Sequence, residues 1–311
     1  MTRPIVLVTR PFLMAQREAW DDGYDLTGPE AVSAGVPSLI ARIEVIVTDG
    51  DSLDLHLVDA LPNLRLVACF STGYAGIDLG RLRARGITLT TAAAVNAHDV
   101  ADHAIALTLA WWHGIPTADR TVRSGQWRNS LPPRPSLRGR RIGIVGLGRI
   151  GLEIAHRAAA LDLKVNWWGP REKPSVRYTR APDLMALARD SDILVVAMRA
   201  TPANAGAISR EVLAQLGPKG LLVNVSRGFL VDEPALIRAL ESGTLAGAAL
   251  DVFAEEPTDA RVWARFDNVL LTPHIAGYTQ EAGTALFAQL RENLRRYFAG
   301  LPLMTPVEDP L

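Results

Sequence analysis

The chain has 311 residues, 48% of them hydrophobic, which is enough for about two domains with apolar cores. It carries 33 basic and 33 acidic residues without a long run of either sign, which argues against a nucleic-acid or membrane-surface partner and favours a small-molecule ligand. The single cysteine, Cys69, excludes an internal disulfide, and no apolar stretch approaches the ~20 residues of a membrane helix. We therefore expect a soluble cytoplasmic protein without a signal peptide and without a metal site.

Short apolar runs alternate with helix-like stretches from the start of the chain to about Asn96. This alternation predicts an α/β layout with parallel strands. The predicted strands are Ile5–Val8, Val45–Val47, Leu66–Phe70 and Ile87–Thr90, and the predicted helices lie near Leu53–Ala60 and Leu79–Arg85.

A second alternation begins at Arg141, after a long apolar helix and a proline-rich segment. The helix, Asp99–Trp112, is too apolar for a free surface, so we expect it to be buried between domains or subunits. The segment Leu131–Pro135 predicts a hinge. The last helix, near Thr279–Ala299, is expected to cross back and make the first domain discontinuous. Later strands are predicted at Asp192–Met198, Gly220–Val225, Ala246–Val252 and Asn268–Thr272.

The second alternation opens with a short apolar strand that runs into a Gly-x-Gly-x-x-Gly turn and then a helix. In such a turn Gly146 permits the tight bend, Gly148 lets the backbone approach a pyrophosphate, and Gly151 lets the helix pack closely on its strand. The helix N-terminus then faces the anion. A following strand at Leu163–Trp168 completes a βαβ unit, which favours a dinucleotide cradle over a purely structural glycine turn.

Gly169 follows that strand, at the position where an NAD-binding domain places an acid for the ribose 2′-hydroxyl. The missing carboxylate and the nearby Arg171 and Lys173 favour a 2′-phosphate, because a guanidinium binds phosphate through two donors. The alternative, solvated loop charges, is supported by Glu172. We therefore expect NADP(H) as the preferred coenzyme, with NAD(H) still possible.

Three successive predicted strands of this second unit are followed by Arg227, Glu256 and His274. Ligands of open parallel sheets bind at such strand ends. Each residue alone has a structural explanation: an ion pair, a solvated acid or a structural histidine. Together they suit the reduction of an α-keto acid, in which the arginine holds and polarises the substrate and the histidine donates a proton to the developing alkoxide. The glutamate would orient the imidazole and keep it protonated.

Over essentially its whole length the chain resembles the D-isomer-specific 2-hydroxyacid dehydrogenases, and it looks closest to the glyoxylate/hydroxypyruvate and hydroxyphenylpyruvate reductases. Besides the glycine turn, the matching segments are Ser71–Asp78, Val100–His103, Gly125–Trp127, Leu216–Gly220, Asn224–Pro234, Leu250–Pro257 and Thr272–His274. The resemblance implies an α/β protein with two doubly wound parallel sheets in Rossmann-like and flavodoxin-like domains. These are a discontinuous flavodoxin-like substrate-binding domain, 1–97 with 281–311, and a dinucleotide-binding Rossmann domain, 98–280, which includes a dimerisation helix.

The resemblance also implies roles for individual residues. The three strand-end residues become a catalytic triad, and Asp251 becomes the acceptor for the nicotinamide carboxamide. The substrate carboxylate is cradled at Ser71, Thr72 and Gly73. Further coenzyme contacts are implied at Arg149, Ile150, Thr201, Pro202 and Ala276.

The chain departs from the family pattern at Ala75 and Gly76, where most members carry Asp or Asn, and near Ser130, where some hydroxypyruvate reductases carry an aromatic residue. We expect a homodimeric NAD(P)H-dependent reductase that converts a small 2-keto acid of the glyoxylate or hydroxypyruvate kind to its D-2-hydroxy acid. Two alternatives stay open. One is an NAD-preferring member such as a phosphoglycerate dehydrogenase, and the other is a coenzyme-sensing binding protein like the carboxyl-terminal-binding corepressors.

Overall fold

The computed structural model describes residues 3–308, which divide into two compact units. Unit 1 is formed by 3–96 together with 279–308, and unit 2 by Ala97–Tyr278. The domain boundaries implied by the resemblance lie within two residues of these. The predicted α/β class with two parallel sheets is confirmed.

Unit 1 is built on a five-stranded parallel sheet. Its strands are β1 (Ile5–Val8), β2 (Asp25–Thr27), β3 (Ile43–Thr48), β4 (Leu66–Cys69) and β5 (Thr88–Thr90), in the order β2-β1-β3-β4-β5. Its first helices are α1 (Pro11–Ala15), α2 (Pro29–Ser33), α3 (Pro37–Ile40), α4 (Leu55–Asp59) and α5 (Leu79–Ala84). In β1, Ile5 and Leu7 pack into one apolar cluster and Val6 and Val8 into another. A parallel sheet covered on both faces therefore explains the continuous apolar run that marks this strand in the sequence.

Unit 2 begins with the helices α6 (Ala97–Trp112) and α7 (Ile115–Arg123). A seven-stranded parallel sheet follows, with strands β6 (Arg141–Val145), β7 (Lys164–Trp168), β8 (Thr179–Arg180), β9 (Ile193–Val196), β10 (Leu221–Asn224), β11 (Gly247–Leu250) and β12 (Val269–Leu271). Its connecting helices are α8 (Arg149–Ala160), α9 (Leu184–Arg189), α10 (Arg210–Leu216), α11 (Glu233–Glu241) and α12 (Ala260–Trp263). The strand order β12-β11-β10-β9-β6-β7-β8 reverses direction between β6 and β9. Such a reversal opens the crevice in which doubly wound sheets bind ligands.

Two expectations about the start of unit 2 are wrong. The apolar face of α6 does not need another domain or subunit to cover it, because Ala101 and Ala104 pack with Ile154 and Ala158 of α8 in the core of unit 2 itself. The proline-rich segment Leu131–Pro135 is not the hinge, since it lies inside unit 2. The indole of Trp112 donates a hydrogen bond to the carbonyl oxygen of Pro135 at 2.8 Å, which ties the segment to α6.

The last helix, α13 (Gln280–Phe298), belongs to unit 1. Thr279 caps it by accepting the amide of Ala282 at 3.1 Å, the role that threonine favours at a helix start. Leu290 and Leu294 anchor its buried side. Among residues 3–308, no helix combines the length and hydropathy needed to cross a membrane.

Candidate active site

The glycine turn between β6 and α8 uses its three glycines for three different reasons. Gly146 has a φ of +94°, and a Cβ there would lie 2.3 Å from the Cα of Met198. A Cβ at Gly151 would lie 2.0 Å from the carbonyl oxygen of Gly146. Gly148, the N-cap of α8, is exposed, and a Cβ there would meet no heavy atom within 4 Å. The turn is therefore closed on the protein side and open where a pyrophosphate would approach the helix N-terminus.

The end of β7 lies beside this turn, because the amide of Gly146 donates to the carbonyl oxygen of Trp168 at 2.8 Å. Gly169 is the next residue. A Cβ at this position would have the Trp167 ring as its nearest neighbour, at 3.5 Å, which is an ordinary van der Waals contact. Arg171 and the rest of the following loop to residue 173 are exposed. The predicted 2′-phosphate loop is thus placed next to the predicted pyrophosphate turn.

The remaining residues implied in coenzyme binding follow the carboxyl ends of unit 2 strands. Arg149 and Ile150 form the first turn of α8, where Arg149 is exposed and Ile150 is half-buried. Thr201 and Pro202 begin a 3₁₀ turn after β9. Ala276 follows β12 and is 5% exposed. A shared sheet edge therefore places residues that are far apart in sequence where one ligand could reach them, and their coenzyme contacts stay a prediction.

His274 and Glu256 are in direct contact. The imidazole Nδ1 lies 2.6 Å from the carboxylate Oε2, while Oε1 accepts the amide of Phe253 at 3.0 Å. The two side chains are 40% and 35% exposed and line a cavity of about 910 Å³ within unit 2. Since Nδ1 is held by the carboxylate, Nε2 is the nitrogen through which the ring would act on a ligand.

The backbone that carries His274 is fixed by hydrogen bonds. Its φ is +55°, in the left-handed region that is uncommon for residues other than glycine. The His274 amide donates to the carbonyl oxygens of Asp251 at 2.8 Å and Thr272 at 3.0 Å. The carboxylate of Asp251 accepts the amides of Ile275 and Ala276, each at 2.9 Å. Strained conformations persist only where their surroundings over-determine them, and this turn meets that condition.

Asp251 is completely buried, so its charge needs partners. Burial alone would raise the pKa of this carboxyl group. Hydrogen bonds to the ionised form from His103, Thr272 and the two turn amides outweigh burial and lower the pKa of Asp251 to about 2. The carboxylate therefore stays ionised at neutral pH and holds the turn. Its predicted contact with a nicotinamide carboxamide stays a prediction.

The sequence pattern predicts no role for His103 or Thr272 in this network. The hydroxyl of Thr272 donates to Oδ1 of Asp251 at 2.6 Å. Nε2 of His103 lies 3.0 Å from the hydroxyl oxygen of Thr272 and 3.5 Å from Oδ1 of Asp251. Val100–His103 matches the family pattern, which was the one sequence signal for a role of His103. Its contact with Thr272 could not be predicted, because only the fold places α6 beside the end of β12.

Arg227 follows β10, and its loop packs against the loop that carries Glu256. A Cβ at Gly228 would lie 1.8 Å from the backbone carbonyl carbon of Phe253, so only glycine fits at this close approach. The structure thus brings His274 and Glu256 into direct hydrogen-bonding contact and places the Arg227 loop against the loop that carries Glu256.

Ser71, Thr72 and Gly73 lie in unit 1, in the loop after β4. The Oγ of Ser71 accepts the amide of Gly50 at 3.3 Å, and a Cβ at Gly50 would lie 1.7 Å from the carbonyl oxygen of Gly73. The loop is therefore packed against the one that follows β3. Its role as a cradle for a substrate carboxylate stays a prediction.

Residues 105–276 match the sequence profile of the D-isomer specific 2-hydroxyacid dehydrogenase, NAD binding domain. The chain belongs to this family. The resemblance stated from the sequence is confirmed, and the chain is an oxidoreductase with an NAD(P)-binding domain.

Other members of the family are similar over most of the chain. A hydroxyphenylpyruvate reductase of Plectranthus scutellarioides is 41% identical over 85% of this chain and 84% of its own length. A glyoxylate/hydroxypyruvate reductase A of Arabidopsis thaliana is 42% identical over 82% of each chain. Among solved structures, a 2-hydroxyacid dehydrogenase of Ketogulonicigenium vulgare superimposes with a TM-score of 0.90 at 38% identity, covering 99% of both chains. An NADPH-dependent glyoxylate/hydroxypyruvate reductase of Sinorhizobium meliloti, solved with NADP and malonate, has a TM-score of 0.88 at 36% identity, covering 98% of this chain and 97% of its own.

Proposed function

We propose that this family member is an NADP-preferring reductase that converts a small 2-keto acid, of the glyoxylate or hydroxypyruvate kind, to the D-2-hydroxy acid. The observation that carries the proposal is the contact of 2.6 Å between His274 and Glu256, held on a hydrogen-bonded turn at the ligand-binding edge of the sheet. The names of the Plectranthus, Arabidopsis and Sinorhizobium relatives support this substrate class.

Each of the three residues has one task in the proposed reaction. Arg227 binds the substrate carboxylate and polarises the carbonyl, because a guanidinium offers paired donors in a planar fork. His274 donates the proton from Nε2 to the carbonyl oxygen as it becomes an alkoxide. Glu256 holds Nδ1 and thereby fixes the orientation of the ring, with Nε2 directed to the substrate. A nicotinamide coenzyme, when bound, supplies the hydride that the carbonyl carbon accepts.

Unit 2 fits such a coenzyme. The open backbone at Gly148 leaves room for a pyrophosphate at the N-terminus of α8. The guanidinium Nε of Arg180 is buried and has no hydrogen-bond partner among the described residues, which leaves an unsatisfied donor beside the end of β7.

The preference for NADP(H) is proposed from charge. The residue after β7 is Gly169 rather than an acid, so a ribose 2′-hydroxyl lacks its usual partner and a 2′-phosphate meets no repulsion from that residue. Arg171 and Lys173 are exposed in the following loop and add positive charge. The Sinorhizobium relative, solved with NADP, supports the same preference.

A substrate and coenzyme panel tests the proposal. The purified enzyme is assayed with glyoxylate, hydroxypyruvate and hydroxyphenylpyruvate, each with NADPH and with NADH, and chiral analysis of the product from the last two substrates identifies the isomer. We expect turnover of at least one keto acid, a D-product, and a larger kcat/KM with NADPH. Coenzyme binding without turnover of any keto acid would contradict the reductase and support the binding-protein alternative.

We also propose a homodimer, because apolar side chains are exposed on α7 and just after it. Ile115 and Val122 are 55% and 56% exposed, and they share one face of α7 because they are seven residues apart. Trp127, which follows α7, is 68% exposed. Light scattering is expected to give twice the chain mass of 33.6 kDa, about 67 kDa, and Trp127→Asp is expected to shift the protein towards the monomer. A monomer across micromolar concentrations would reject the proposal.

A further inference from the structure

An arginine that belongs to no sequence motif lies beside the end of β7. Arg180, in the short edge strand β8, pairs in register with Trp167 of β7, and its guanidinium carbon lies 5.8 Å from the centroid of that indole. Its Nη2 donates to the carbonyl oxygen of Gly169 at 2.9 Å. The guanidinium is therefore bound to the residue that is typically an acid in NAD-binding domains.

The donors of Arg180 are only partly used within the protein. Its Nε is buried without a hydrogen-bond partner among residues 3–308. The acid paired with it, Glu172, has Oε1 3.6 Å from Nη1, which is too long for a hydrogen bond. Glu172 is also 81% exposed, so water screens the pair. A buried donor without a partner, here on a charged guanidinium, destabilises the ligand-free protein. An anionic ligand with several acceptor oxygens would supply the missing hydrogen bond.

We propose that Arg180 is a specificity-determining residue that binds the 2′-phosphate of an NADP-type dinucleotide, and that Glu172 competes with this phosphate for the guanidinium. The inference rests on the proposed coenzyme preference and names the residue responsible for it. A phosphate carries more charge than a carboxylate and offers three acceptor oxygens, so it displaces a screened, exposed acid readily.

Arg180 is better prepared for this role than the two exposed cations of the loop. Its position over the Trp167 ring and its bond to Gly169 hold the guanidinium in place before any ligand arrives. Arg171 and Lys173 are exposed, and ordering them on a ligand costs side-chain entropy. The fixed arginine should therefore contribute more to discrimination between the two coenzymes.

Equilibrium binding tests the inference without turnover. NADPH, NADH, adenosine 2′,5′-bisphosphate and 5′-AMP are titrated by calorimetry into the wild type, Arg180→Gln, Arg180→Lys, Arg171→Gln and Glu172→Gln. We expect Arg180→Gln to raise the Kd of NADPH and of the bisphosphate by tenfold or more, while the Kd of NADH and of 5′-AMP changes by less than about twofold. Arg180→Lys should lie between, because it keeps the charge and loses the fork.

Glu172→Gln should have the opposite effect. Removing the competitor is expected to lower the Kd of both 2′-phosphorylated ligands by about two- to fivefold, the range of an exposed ion pair. The gain should vanish in the Glu172→Gln, Arg180→Gln double variant. Glu241→Gln and Arg265→Lys are matched controls: they alter another ion pair of unit 2, at 2.6 Å, and should leave all four Kd values unchanged.

The outcomes separate this inference from the coenzyme preference. If the wild type binds NADPH more tightly than NADH but Arg180→Gln leaves the ratio unchanged while Arg171→Gln abolishes it, the preference stands and the inference is overturned. If the wild type shows no preference, yet Glu172→Gln creates one that depends on Arg180, the inference stands and the proposed preference fails. Glu172 is 81% exposed, so Glu172→Gln is expected to fold even where an Arg180 variant melts early, and unchanged Kd values of both 2′-phosphorylated ligands in Glu172→Gln would overturn the competition that the inference requires.

Discussion

Two loops at the carboxyl edge of the unit 2 sheet are built in opposite ways. The turn after β12 holds His274 with two hydrogen bonds from its amide, and the buried carboxylate of Asp251 accepts the next two amides. The loop after β7 is exposed at residues 170–175, and Arg180 is tied to it by one bond to Gly169 and a long ion pair. One loop is fixed by buried charge, and the other displays charge to solvent.

The difference matches what each loop is proposed to do. Proton transfer needs an imidazole held in one orientation, and a network of satisfied buried bonds provides that. Discrimination between two coenzymes that differ by one phosphate needs charge that becomes paired only when the ligand binds. Substitutions in the first loop should therefore change kcat and stability, whereas substitutions in the second should change the ratio of coenzyme affinities.

The largest effect is expected at His274. Asparagine tolerates the left-handed backbone there, so His274→Asn removes the proton donor with little added strain. We expect kcat for reduction to fall by ~10²-fold or more, with the Kd of the coenzyme nearly unchanged. Single-turnover kinetics and coenzyme titration measure the two quantities.

Two further variants complete this test. His113→Ala, an exposed histidine at the end of α6, should keep the wild-type kcat. Glu256→Gln should lower kcat less than His274→Asn, because the proton donor remains and only the group that orients its ring has changed. A His274→Asn enzyme that keeps its full rate would exclude the histidine as the acid.

The position of the candidate catalytic residues at strand ends was predictable because each strand and the polar residue after it form a local pattern. Continuous apolar runs predict the buried strands of a parallel sheet. Because the carboxyl ends of parallel strands share one edge, Arg227, Glu256 and His274 are predicted to lie at that edge. The network behind them was not predictable, since His103 reaches the end of β12 only through the packing of α6. Arg180 lies in a two-residue strand without an apolar pattern, so no periodicity marks it. The hinge predicted at the proline-rich segment was wrong, because prolines indicate irregular backbone and not necessarily a domain boundary.

The second effect concerns the stability of the His274 turn. In Asp251→Asn the side chain keeps one oxygen that can accept a hydrogen bond. Its new NH₂ group, however, faces a backbone N–H that the second carboxylate oxygen accepted, and two donors cannot bond each other. We expect the free energy of unfolding at pH 7 to fall by about 1–3 kcal/mol, measured by urea denaturation. Asp190→Asn, which alters an exposed carboxylate, should change it by less than about 0.5 kcal/mol.

The effect of Asp251→Asn on stability should depend on pH. The pKa of Asp251 is lowered from 3.8 to about 2, so its stabilisation is complete above pH 3.8 and is lost as the pH falls through about 2. This amounts to about 2 kcal/mol. The difference in stability between wild type and Asp251→Asn should therefore shrink between pH 4 and pH 2. A constant difference across that window would mean that ionisation of Asp251 does not hold the turn.

The smallest effect, and the most selective, is expected at Gly169. A Cβ there meets the Trp167 ring at an ordinary 3.5 Å, so the first atom of the Gly169→Asp side chain fits. The carboxylate accepts a bond from a ribose 2′-hydroxyl, repels a 2′-phosphate and competes for Arg180, so all three effects favour NADH. We expect the NADPH-to-NADH ratio of kcat/KM to fall by about tenfold, equivalent to about 1.4 kcal/mol. Gly169→Ala supplies the Cβ without the charge and should leave the ratio unchanged. If both variants lowered it equally, the shape of the loop rather than its charge would set coenzyme choice, and the contrast with the rigid His274 turn would lose its electrostatic basis.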